Sequence, residues 1–184
     1  MKPFLIAATL LFSVMYQLNA QDRYVIAESN VHFYSYAALE NIEADNSDAK
    51  AVVDASSNAF SFRIPIKSFI FDKELMQEHF NENYMESEKY PNGTFKGTIE
   101  GSYSFAEDGE YDVNAVGVLD IHGVAQKRNI PSTITVENGV ATITSKFMVK
   151  LVDHNIAIPK VVFYNIAEEI EVKTSFVLKP LEKK

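Results

Sequence analysis

Residues 76–95 read Met76-Gln-Glu-His-Phe-Asn-Glu-Asn-Tyr-Met-Glu-Ser-Glu-Lys-Tyr-Pro-Asn-Gly-Thr-Phe95 and contain the clearest helical segment of the chain. We predict a helix over residues 72–84, with the Asp72 carboxylate as N-cap acceptor for the first free amides. The turn-forming Tyr90-Pro91-Asn92-Gly93 ends the segment. Such a helix must lie on a sheet or close a barrel end, because five side chains fall on one helical face: Leu75, Met76, His79, Phe80 and Tyr84.

The rest of the chain alternates apolar and polar residues with the period of two that is typical of half-buried strands. Before the helix we predict strands at residues 24–27, 30–36, 51–53 and 59–66, with a loop or short strand pair within 38–50. After it we predict strands at 95–105, 111–122, 129–137, 140–152 and 169–178. Asp108-Gly109 and Asn138-Gly139 are strong hairpin signals between neighbouring strands.

Sequential antiparallel strands with one apolar face must bury that face, and a closed barrel does so without leaving free edges. We therefore predict an all-β antiparallel barrel of about eight strands with one short helix; a two-sheet sandwich is the main alternative. Lys96, Lys146 and Lys150 should point outward. The residues predicted to point inward are Phe60, Phe62, Phe95, Ile99, Tyr103, Leu119, Ile121, Phe147, Val149, Val172 and Phe176.

Three blocks of sequence resemble the YceI-like polyisoprenoid-binding family. They are Met76–Phe80 with Tyr90-Pro91 and Phe95-Lys96-Gly97, then Gly117–Val124 ending a strand in His-Gly, then Asp153…Ile156…Ile158-Pro159 with Ile166-Ala167. The front of the chain departs from the family pattern, because residues 31–37 lead into an Ala/Glu/Asp-rich segment. The resemblance implies a lipocalin-like barrel that binds an apolar isoprenoid lipid.

Residues 1–20 have the pattern of a secretory signal peptide. Lys2 supplies the positive charge, residues 4–15 are an apolar run too short to span a bilayer, and Ala20 is a small residue before the expected cleavage site. A buried N-terminal helix is the alternative. We expect one YceI-like barrel domain over residues 21–184, in the periplasm or secreted, with no acylated anchor because the chain has no cysteine.

Charge and composition exclude several classes of protein. The net charge of −8 becomes −9 once Lys2 is removed, so the chain lacks the basic surface that nucleic-acid phosphates require. No later segment is apolar enough for stable membrane insertion. Without cysteine, disulfides, thiolate zinc sites and iron–sulfur clusters are excluded.

The four histidines do not form a catalytic or metal-binding motif. No HExxH spacing or Gly-x-Ser-x-Gly elbow is present, so we predict no catalytic residue, no metal and no cofactor other than a bound polyisoprenoid. His79 is more typical of a hydrogen-bonded core residue than of a ligand. Asp120 and His122 lie on one side of a strand and can pair, and Asp153-His154 is first a turn.

Two function classes follow, with a blander third. The first is a carrier of a long apolar isoprenoid such as a quinone; the second is a lipid-modifying enzyme in the same barrel; the third is a filled barrel that binds a protein partner. A second copy of the chain is a further candidate partner.

Glycines on the predicted inner face, Gly97, Gly101 and Gly117, give room either for the ligand or for strand coiling. The predicted ligand-binding residues are Phe60, Phe62, Met76, His79, Phe80, Tyr84, Phe95, Gly97, Ile99, Tyr103, Gly117, Leu119, Ile121, Phe147 and Phe176.

Overall fold

The computed structural model describes residues 23–36, 41–158 and 167–182. Its strands are β1 (Arg23–Ser35), β2 (Ile42–Asn46), β3 (Lys50–Asp54), β4 (Ala59–Pro65), β5 (Ile70–Phe71), β6 (Asn92–Glu100), β7 (Gly109–Ile121), β8 (Val124–Glu137), β9 (Val140–Lys150) and β10 (Glu169–Pro180). The helix α1 (Glu74–His79) continues into a π-helical turn (Phe80–Tyr84). Single 3₁₀ turns follow β4 (Ile66–Ser68) and β9 (Leu151–His154). The predicted signal peptide lies outside the described residues.

The strands form one closed antiparallel barrel, which confirms the predicted fold class. β10 pairs with β1 from Tyr24↔Pro180 to Tyr34↔Glu171 and closes the ring. The ten strands make an eight-strand circuit, because β2 and β3 both pair with β1 as one interrupted strand, and β4 and β5 pair with β3 and β2 as another. Lys96, Lys146 and Lys150 are exposed, as the predicted register requires.

The helix begins later than predicted. Its N-cap is Lys73 rather than Asp72, and no side chain caps it. Met76 and Phe80 pack on the core, as expected, but Leu75 is 61% exposed. His79 is exposed as well, so its prediction as a hydrogen-bonded core residue is wrong. After one and a half turns the helix widens into the π-helical turn, which carries the helical backbone to Tyr84. Phe80 and Tyr84, the first and last residues of this turn, still face the barrel interior as the helical pattern predicts.

Two strand boundaries also differ from the prediction. β6 ends at Glu100, so the predicted strand 95–105 is wrong beyond that residue, and residues 101–108 form a connection rather than a tight Asp108-Gly109 turn. β8 begins at Val124 rather than at residue 129, because His122-Gly123 makes a two-residue hairpin turn. Both turn residues have positive φ, 55° and 71°, the conformation of a type I′ turn. The predicted Asn138-Gly139 turn is confirmed, with φ values of 51° and 77°.

The two ends of the barrel are built differently. At the end that we call the closed end, the connection 101–108 returns Phe105 to the interior, where its ring lies 4.4 Å from Tyr24 and 5.1 Å from Tyr103. Val53 and Val136 are almost completely buried beneath it, with exposed fractions of 0% and 1%. The opposite end, which we call the helix end, is covered by α1 and the π-helical turn instead.

Gly97 and Gly117 face each other across β6 and β7. A Cβ on Gly97 would lie 2.0 Å from the Val116 carbonyl oxygen, and one on Gly117 would lie 2.2 Å from that of Lys96. Both glycines are therefore required by the close approach of two strands. Of the two readings of these glycines, the structure supports strand coiling and not clearance for a ligand.

Candidate functional site: an apolar cavity beneath the helix

The barrel interior at the helix end contains a cavity of about 360 Å³. This volume falls within the range of about 300–1,000 Å³ that is typical of small-molecule sites. Every long strand contributes to the wall through side chains that alternate inward, for example Phe62 of β4, Leu119 of β7 and Phe176 of β10. The wall is therefore almost wholly aliphatic and aromatic.

Aromatic rings close the cavity at the helix end. The Phe80 ring of the π-helical turn lies 5.5 Å from Phe33, 5.6 Å from Phe69 and 5.0 Å from Phe71, centroid to centroid. Phe33 lies on β1, Phe71 is the second residue of the two-residue strand β5, and Phe69 immediately precedes that strand. Since Phe80 is only half-buried, this group of rings covers the cavity without filling it.

Few side chains in the described wall carry an oxygen or nitrogen atom. Ser132 and Ser145 hydrogen-bond each other at 2.7 Å, and the hydroxyl of Ser35 accepts the Ala167 amide at 3.0 Å. Tyr84 and His79 lie at the helix. Burial raises the pKa of the Tyr84 phenol, which therefore stays neutral and able to donate a hydrogen bond. The wall thus offers a polar group to a ligand mainly beneath the helix.

Most of the predicted ligand-binding residues are brought together around this cavity. Twelve of the fifteen line it: Phe60, Phe62, Met76, His79, Phe80, Tyr84, Phe95, Ile99, Leu119, Ile121, Phe147 and Phe176. Of the further inward positions, Val149 and Val172 also line it. Whether these residues contact a ligand stays a prediction.

Three predicted residues lie elsewhere. Gly97 and Gly117 are in the close β6–β7 contact, and Tyr103 is in the connection at the closed end, where its hydroxyl donates to Asn58 Oδ1 at 2.9 Å. The prediction of Tyr103 as a cavity residue depends on a strand that continues past Glu100, where β6 in fact ends. Sequence reasoning missed Phe33, Phe69 and Phe71 as cavity residues. The alternation of β1 was a signal for Phe33, but nothing in the sequence marks the two-residue strand β5.

His122 has a structural role, as the sequence favours, but its partners are Glu86 and His154 instead of Asp120. Its Nε2 lies 2.8 Å from a Glu86 carboxylate oxygen and its Nδ1 lies 3.1 Å from the His154 carbonyl oxygen. The Tyr90 ring packs against it at 4.5 Å. His154 is fully buried, with Nδ1 3.0 Å from the Val124 carbonyl oxygen. These contacts fasten the segment after the helix, the β7–β8 turn and the 3₁₀ turn to one another.

Residues 23–36, 41–158 and 167–182 hold no group of three His, Asp or Glu side chains placed to bind a metal ion. Among the same residues, none of the helices has both the length and the apolar character needed to cross a bilayer.

Solved structures of other proteins share this fold. A crystal structure of Burkholderia cenocepacia BcnA is similar with a TM-score of 0.67 and 20% identity, covering 81% of this chain and 95% of that one. A polyisoprenoid binding domain from Saccharophagus degradans, implicated in plant cell wall breakdown, gives a TM-score of 0.70 and 13% identity over 86% of this chain and 98% of that domain. The Campylobacter jejuni YceI protein is similar with a TM-score of 0.61 and 18% identity, covering 80% of this chain and 90% of that one.

The sequence comparisons give a family but no curated relative. No curated protein matches the chain significantly. The family model described as YceI-like domain matches residues 23–178, which include the helix, β1 to β9 and all but the last two residues of β10. The chain therefore belongs to the YceI-like domain family.

Proposed function

We propose that this protein is an exported carrier that holds one long apolar isoprenoid, such as a quinone, inside the barrel. The observation that carries the proposal is the cavity of about 360 Å³ with its aliphatic and aromatic wall. A buried methylene contributes about 0.8 kcal/mol, so several isoprene units bind tightly without a charged contact. The polyisoprenoid binding domain from Saccharophagus degradans, which shares the fold, supports this class of ligand.

The described cavity wall supports a carrier function more than an enzymatic one. The three serine hydroxyls in the described wall are already engaged: Ser132 and Ser145 hydrogen-bond each other, and Ser35 accepts the Ala167 backbone amide. A serine nucleophile would need a neighbouring base, and neither pair provides one. His79 and Tyr84 at the helix are placed to hydrogen-bond a polar head such as a quinone carbonyl. Residues 1–20 support export, since an insoluble lipid that crosses an aqueous compartment needs shielding.

The test is to isolate the protein from its native host, extract it with organic solvent and identify bound lipid by mass spectrometry. Ala115 lines the cavity on β7, so Ala115→Phe should fill the space and remove most of the lipid. Val118 is 42% exposed on the opposite face of the same strand, and Val118→Phe is the matched control. A wild-type protein without lipid, or an Ala115→Phe variant with the wild-type amount, would show that the cavity does not carry one.

A further inference from the structure

The barrel wall divides between β8 and β9. The ladder of these strands runs from Glu137↔Val140 to Ser132↔Ser145 and includes no pair beyond that point. Residues 124–131 of β8 continue to pair with β7, whereas residues 146–150 of β9 pair with β10. We call this divergence, residues 124–131 facing residues 146–150, the β8–β9 fork.

Polar side chains from the cavity face of β8 span the fork. Leu119 and Ile121, which line the cavity, pair with Gln126 and Val124. Paired residues of an antiparallel sheet point to the same face, so Gln126 and, two residues on, Arg128 start from that face. Gln126 Nε2 donates to the Asp153 carbonyl oxygen at 2.7 Å, and Arg128 Nη2 donates to that of Met148. These bonds replace the missing backbone ladder.

Arg128 brings a positive charge to the edge of the apolar cavity. Its guanidinium carbon lies 6.0 Å from the centroid of the Phe147 ring, and Phe147 lines the cavity. None of the ion pairs found among the described residues includes Arg128. A guanidinium has five N–H donors, and the Met148 carbonyl oxygen takes one of them. Arg128 is thus a half-buried cation with donors to spare.

We propose that the β8–β9 fork is an anion site, in which Arg128 binds the phosphate or carboxylate head of a ligand whose apolar chain lies along Phe147. The inference rests on the proposed function, since the chain occupies the same cavity. A planar guanidinium matches the two oxygens of these groups, and charge-assisted hydrogen bonds are roughly twice as strong as neutral ones. The site therefore adds specificity for anionic isoprenoids to a cavity whose described wall is otherwise almost wholly apolar and uncharged.

The test compares geranylgeranyl phosphate with geranylgeraniol, which share one chain and differ in the head group. Dissociation constants of both ligands for wild type and Arg128→Gln are measured by calorimetry or by competition with a fluorescent isoprenoid. Glutamine keeps an amide donor for the Met148 carbonyl oxygen but removes the charge. We expect affinity for the phosphate to fall about tenfold or more, as for the loss of a charged hydrogen bond, and affinity for the alcohol to change little.

The control is Lys127→Gln. Lys127 is exposed on the other face of β8, and this substitution removes the same single positive charge. It should leave both affinities unchanged. If Arg128→Gln lowers the affinity for both ligands equally and also changes the melting temperature, Arg128 has only a structural role. Equal binding of both ligands by wild type and variant would also overturn the inference, as would inorganic phosphate displacing geranylgeranyl phosphate in the wild type at equal concentration. If wild type binds neither ligand, the proposed carrier function itself fails.

Discussion

The closed end and the helix end are built from the same alternating strands, yet one is packed and the other contains a cavity. At the closed end the connection 101–108 inserts Phe105 among Tyr24 and Tyr103 above the buried Val53 and Val136. At the helix end Phe80 covers the opening from a helical turn and stays half-buried. An inward-facing strand pattern therefore does not decide whether a barrel is filled; the segment that covers each end does.

The largest contrast should come from removing one ring at each end. Phe105 is 8% exposed, so Phe105→Ala should lower the free energy of unfolding by about 3–5 kcal/mol, as for other buried Phe→Ala changes. Phe80→Ala should cost only about 1–2 kcal/mol, because the ring is half-buried beside existing space. Urea unfolding of both variants measures the difference.

Ligand retention should show the opposite order. Phe80→Ala opens the cover of the cavity and should release bound lipid faster, whereas Phe105→Ala leaves the cavity wall intact. Dissociation is followed by transfer of a fluorescent isoprenoid to vesicles, below the melting temperature of each variant. If Phe105→Ala proves the milder change in stability, the division into a packed and an open end is wrong.

Two glycines of the barrel wall give the next comparison, because one lies in a close backbone contact and the other lies beside the cavity. Gly117→Ala would place its Cβ 2.2 Å from the Lys96 carbonyl oxygen, a backbone atom that cannot move freely. We expect a loss of about 1–3 kcal/mol, typical of overpacking. Gly93 lines the cavity, and a Cβ there would meet its nearest atom, in the Ile66 side chain, at 3.7 Å. Gly93→Ala is the control and should change stability by less than about 1 kcal/mol. Similar melting temperatures for the two variants would contradict the close β6–β7 contact.

The sequence was sufficient for the elements whose local pattern is also their tertiary environment. Phe60 and Phe62 alternate with exposed polar residues because β4 has one core face and one solvent face, so period two located them correctly. The same argument placed Leu119 and Phe176 in the cavity wall. The helix face around Met76 and Phe80 was predicted for the same reason.

The sequence was insufficient where backbone geometry or a break in pairing sets the environment. Gln126 and Arg128 start from the cavity face but are polar, because β8 leaves β9 there and needs donors to replace the ladder. Because these inward-facing residues are polar, the alternation of apolar and polar residues did not reveal the first third of β8 as a strand. Gly97 and Gly117 fitted the inward pattern, yet their role depends on the distance between two backbones, which no single-strand pattern contains.

The smallest expected effect concerns the turn after β3 at the closed end. The Asp54 carboxylate accepts from the Ser56 hydroxyl at 2.6 Å, from the Ser56 and Ser57 amides, and from Arg23 Nε at 3.2 Å. The Ser56 hydroxyl, followed by Arg23, lowers the pKa of Asp54 from 3.8 to about 2. A carboxyl whose pKa is lower in the folded protein stabilises it fully above the unfolded value. This contribution should be lost as the pH falls from about 4 through 2.

Asp54→Asn isolates that contribution, because the variant cannot titrate at this position. Its urea midpoint should lie below that of wild type at pH 6, and the gap should narrow at pH 2, where the wild-type carboxylate is being protonated. Ser56→Ala, which removes the strongest partner, should show part of the same loss at pH 6. The tight turn belongs to the closed end, so neither variant should alter isoprenoid binding at the helix end. A gap between wild type and Asp54→Asn that is the same at both pH values would show that the Asp54 contacts do not stabilise the fold.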